Sequence, residues 1–71
     1  MGRQITIQHL ITLARKHLGK GDMQSSAALC LADAIALYDA GNYTPAKGRA
    51  LDSLAYSVGR SHPDYQRGMR A

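Results

Sequence analysis

Hydrophobic positions recur every three and four residues in three successive stretches of the chain, the densest running from Asp22 to Gly41. Within it, Met23, Ala27, Cys30, Ala34 and Leu37 form one apolar row, and Ala28, Leu31, Ile35 and Tyr38 form a second. The evident polar positions are Gln24, Ser25, Ser26, Asp33 and Asp39. Asp22 suits an N-cap and Gly41 a left-handed C-terminal stop, and no Gly or Pro falls between them. A helix with two apolar faces needs two partners, so the pattern predicts the middle helix of a bundle over about 23–40.

The flanking stretches supply the partners. Thr6 is placed to cap a first helix over about 6–18, with Ile5 able to staple against Leu10. Ile7, Leu10, Ile11, Ala14 and Leu18 give that helix a single stripe, and Gln8, Thr12, Arg15 and Lys16 lie outside it. Gly19, Lys20 and Gly21 interrupt the pattern so briefly that the first two helices are expected to be antiparallel neighbours. Thr44 as cap and Pro45 at the first helical position predict a third helix over about 45–58. Leu51, Leu54, Ala55 and Val58 form its buried face, with Lys47, Arg49, Asp52 and Ser53 mainly elsewhere, and Gly48 reads as a point of close contact with a neighbour. Gly59 closes the helix. Ser61, His62, Pro63 and Asp64 then form a cap-like start for at most a short fourth helix near 63–69, with 1–4 and 68–71 expected to fray. The expected fold is a single all-α domain over 1–71, a small bundle of three main helices.

Composition agrees with helices and narrows the setting. A chain of 71 residues buries only about 60% of its unfolded surface, so modest stability is expected unless it associates or binds something. It has no Trp or Phe and four Tyr, which leaves Leu, Ile and Ala to build closely approaching helices. A single Cys cannot staple the chain, and no stretch has the order of a signal peptide or the length of a membrane span, so a cytoplasmic, non-membrane protein is expected. Nine Lys and Arg against five Asp give a net charge of +4.

The stretch from Cys30 to Val58 resembles a single tetratricopeptide repeat: Ala34 stands at a small position of the first helix, Leu37 at the usual aromatic position, Gly41-Asn42-Tyr43 at the turn, Ala46 at a small position of the second helix and Leu54 near its end. It departs from that pattern at Cys30, Asp33 and Lys47, and Pro63 arrives several residues late. The resemblance covers fewer than half of the residues and implies a protein-interaction role. It would place a binding surface at Leu31, Ile35 and Tyr38, residues that the first helix is also positioned to cover.

Chemistry-bearing side chains are few. His9, His17, His62 and Cys30 are the available metal ligands, but no two have zinc-finger spacing, and Cys30 reads as a small apolar filler. No nucleophile stands in a recognisable relation to a base, and Gly-Lys-Gly-Asp lacks the spacing of a phosphate loop, so no enzyme, cofactor, metal or small-molecule substrate is expected. The excess apolar surface of the middle helix instead predicts an interaction or assembly module, self-associating or meeting a protein partner through Leu31, Ile35 and Tyr38. The rival reading is a nucleic-acid-associated accessory protein whose Arg15, Lys16, Lys20, Lys47, Arg49 and Arg60 meet phosphates without sequence preference.

Overall fold

The computed structural model describes residues 6–19 and 25–70. They form four helices: α1 (Ile7–Leu18), α2 (Ser26–Asp39), α3 (Tyr43–Ser57) and α4 (Pro63–Arg70). Among the described residues there is no strand, and no helix is long and apolar enough to cross a membrane. The all-α bundle read from the periodicity is the fold.

Helix ends follow local hydrogen-bond chemistry. Thr6 caps α1 as expected, its Oγ1 accepting the His9 amide at 3.0 Å. The cap of α2 is Ser25, whose Oγ accepts the Ala28 amide at 3.1 Å. The helix therefore starts at Ser26 rather than near 23, while Asp22 and the Ile5 staple lie outside the described residues. At the other end of α2 the Gly41 amide donates to the Tyr38 carbonyl at 3.0 Å and the Asn42 amide to Leu37 at 2.9 Å. This paired closure requires a left-handed residue, and Gly41 supplies it at φ 83°. The turn finishes so tightly that α3 begins at once, at Tyr43. Thr44 is consequently inside the helix and not its cap, and Pro45 is its third residue, still in the first turn where an absent N–H costs little.

α2 and α3 form an antiparallel hairpin, and α1 packs across both. Leu10, Ile11, Ala14, Leu31, Ala34, Ala50 and Leu54 make the core. Ala14, Ala34, Ala46 and Ala50 are fully buried, so the helices approach almost to backbone contact. The same close approach explains a difference from the sequence reading. Ser53 is not on an outer face of α3 but completely buried, and its Oγ donates to the Ala27 carbonyl of α2 at 2.8 Å. A hydroxyl fits there because it is small and finds an acceptor.

Glycine positions also depart from expectation. Gly48 is exposed, with nothing within 4 Å of where a Cβ would stand, so it marks no close contact. Gly68 does: a Cβ there would lie 2.6 Å from Leu51 Cδ2 and 2.9 Å from Leu10 Cδ1. α4 thus continues through residue 68, where fraying was expected, and uses its missing side chain to settle on α1 and α3, with Tyr65 half-buried beside it.

Candidate functional site

The last turn of α1 and the first turn of α4 meet at three half-buried side chains, His17, His62 and Asp64. His17 Nε2 and Asp64 Oδ2 are 2.6 Å apart, a contact bridging 47 residues of sequence. The two imidazoles meet edge to face, with centroids 4.9 Å apart and planes at 70°. One donor atom from each of the three residues lies within 4.8 Å of the others.

Local structure puts them there. His62 sits just before α4 and caps it, Nδ1 accepting the Asp64 amide at 3.1 Å, while Pro63 occupies the first helical position, where its fixed φ is helical. Gln66 reaches back to donate its Nε2 hydrogen to the Arg60 carbonyl at 2.7 Å, bracing the turn. Asp64 follows in the first turn, where a carboxylate complements the helix dipole. The hydrogen bond with His17 holds the Asp64 carboxyl below its usual range; partial burial opposes this, and the electrostatic influence of His17, His62 and Arg67 adds to it. Arg67 Nη1 stands 3.9 Å from Asp64 Oδ1 on the solvent side.

Such an arrangement can hold a proton or a cation between imidazole and carboxylate. Beside it, His17, Leu18, Ser25, Ser26, Ala27, Tyr56 and Ser57 line an open cleft of about 390 Å³. Two of the cleft's hydroxyls have backbone partners: Ser57 Oγ donates to the Leu54 carbonyl at 3.3 Å, and Ser25 Oγ accepts the Ala28 amide.

The structure disperses the expected interaction residues. Leu31 is 5% exposed and belongs to the core, so it offers no surface to a partner. Ile35 and Tyr38 are half-buried against that core, and the Tyr43 ring lies over Tyr38 at 5.2 Å. The covering of these residues by the chain's own helices is the reason. Apolar surface remains elsewhere: Leu29 is 61% exposed on α2, and Ala32, Ala36 and Ala40 are exposed along the same side with Asp33 and Asp39.

The basic residues fall into two groups. Arg15 and Lys16 lie in the last turn of α1 and Arg60 in the turn before α4, all three exposed. Lys47 and Arg49 belong to the opposite half of α3, with Arg49 3.8 Å from Asp52, and Lys20 lies outside the described residues. Of the four residues weighed as ligands, the structure brings together His17 and His62, with His9 exposed on α1 and Cys30 buried in α2. Asp64 was legible only as a helix cap. Its partnership with His17 depends on how α4 docks, which no local spacing encodes.

Comparison of the chain with profiles of known families, with curated proteins and with solved structures finds no match.

Proposed function

We propose that the chain is a non-enzymatic protein-interaction module that associates with a second copy of itself through the outer face of α2. The observation that carries this is Leu29, 61% exposed in a row with exposed alanines. Small residues let a partner helix approach closely, and Leu29, near the start of α2, is a large apolar side chain on that face for a partner to bury. At the rim of the contact, Asp33 and Asp39 of α2 can pair with basic side chains of the other copy, in a chain of net charge +4, while the apolar part carries the affinity. The tetratricopeptide-like pattern of the α2–α3 hairpin supports an interaction role. A lone, buried, unpaired Cys30 fits a reducing, cytoplasmic setting.

The rival, phosphate binding, draws on the exposed basic side chains of Arg15, Lys16 and Arg60. It requires affinity that falls steeply with salt. Light scattering coupled to size exclusion, across protein concentration and at moderate and high salt, separates the two. A dimer that persists in high salt and dissociates on Leu29→Glu is the expected result. Because Leu29 is exposed, that substitution spares the fold. A monomer at every concentration refutes self-association.

A further inference from the structure

The joint between α1 and α4 is a second, separate feature, distant in role from the outer face of α2 and independent of whether copies associate. We infer that His17, His62 and Asp64 form a binding site for a divalent transition-metal ion of the zinc class. Two imidazoles and one carboxylate are the donor set borderline-soft ions prefer, and three protein ligands with a remaining position for water is a common zinc arrangement. Their donor atoms lie within 4.8 Å of one another. A tetrahedral ion with bonds of about 2.0 Å separates its ligands by about 3.3 Å, so His17 Nε2 and Asp64 Oδ2, now at 2.6 Å, move apart by under an ångström and His62 closes in.

The exchange is one of a proton for a metal. The hydrogen shared between His17 and Asp64 is lost from Nε2, the imidazole binds as the neutral Nδ1–H tautomer, and Asp64 remains a carboxylate. His62 offers Nδ1, whose lone pair now accepts the Asp64 amide, or Nε2 after tautomer exchange. In either case the Asp64 amide is released from Nδ1, and it lies in the first turn of α4, where water can serve it. Arg67 is the opposing charge. At 62% side-chain exposure and 3.9 Å from the other carboxylate oxygen, it turns into solvent as the ion enters. All three ligands are half-buried, so the ion reaches them without opening the core.

The consequence is a clamp. His17 belongs to α1, and His62 and Asp64 to the start of α4, so the ion ties together the two ends of the folded chain. Binding only the folded state, it raises the thermal midpoint by several degrees when zinc is well above its dissociation constant.

The test is titration of the full chain with Zn²⁺ alone, followed by calorimetry and by thermal melting. The wild type, His62→Gln, Asp64→Asn, His9→Gln and Cys30→Ala are compared at pH 7, each metal-free protein being checked for native helicity. The expected result is one ion per chain with a dissociation constant below about 10 µM, weakened at least tenfold in His62→Gln and in Asp64→Asn and unchanged in the other two. Binding also weakens at pH 5 as protons compete for the imidazoles. Affinity weaker than about 0.1 mM, or a loss in His9→Gln or Cys30→Ala equal to that in His62→Gln, overturns the site. His62 lies at the joint and outside the core cluster, so its glutamine variant folds and keeps the test decisive even if Asp64→Asn does not.

Discussion

Replacing Ser53 with alanine or with valine isolates a close contact between α2 and α3. Ser53 has no exposure, and its hydroxyl lies 2.8 Å from the Ala27 carbonyl. Alanine removes one hydrogen bond, worth about 0.5–1.5 kcal/mol, and recovers a few tenths through its higher helix propensity. The carbonyl keeps its own helical partner, so no orphan acceptor is created. Valine removes the same bond and adds methyl groups. A carbon needs about 3.3 Å from a carbonyl oxygen, so a methyl in the hydroxyl's place is about 0.5 Å too near. Forcing α2 and α3 apart by that amount adds about 1–3 kcal/mol, for a total of about 2–4 kcal/mol. Against the roughly 4–10 kcal/mol typical of a 71-residue domain, valine removes a large share of the stability and alanine a small one. Urea unfolding followed by far-ultraviolet circular dichroism, at one fixed low protein concentration, reads both. With a slope of about 1 kcal/mol per molar urea, the midpoint falls by up to about 1 M for alanine and by about 2–4 M for valine. A valine variant within about 0.5 kcal/mol of alanine would refute the claim that α2 and α3 meet this tightly.

Three further outcomes follow from the same packing. Gly48→Ala, with open space around its Cβ position and an ordinary helical backbone, stabilises by up to about 1 kcal/mol in the same urea assay. Gly68→Ala gains no such benefit and unfolds more readily than the wild type, because its Cβ meets Leu51 and the fully buried Leu10. For Asp64, whose carboxyl is held below its usual range by His17, the contribution to stability is present above the unfolded value of about 3.9 and is lost as pH falls through the lower folded value. In chelator, Asp64→Asn is therefore less stable than the wild type at pH 6, and the gap narrows by pH 2.5, as paired urea midpoints would show.

The fold was legible because period and caps agree along most of the chain. Thr6, Gly41 and Gly59 stop or start helices through bonds made within a few residues, and such bonds leave a mark on the sequence. Ser25 displaced Asp22 among the described caps because several polar residues compete at the start of α2, and composition does not rank them. Ser53 was misplaced because a polar side chain reads as outward until its acceptor, twenty-six residues away, is known. The site was less legible still. His17 and Asp64 meet only once α4 has docked through Gly68, and a glycine near a terminus reads as a break until its neighbours are seen.

The link 40–42 between α2 and α3 is short, and those two helices make the most extensive contact among the described helices. Kinetically, this is a molecule of mostly local closures, the class that folds in microseconds to milliseconds. The hairpin forms with little loop entropy to overcome, and α1 adds to a surface already present. The contact from His17 to Asp64 closes a long loop and rests on the shortest helix, so it forms late and opens first. Amide exchange should accordingly run fastest in α4 and slowest where Ala34, Ala46 and Ala50 leave no room for water between the hairpin's backbones.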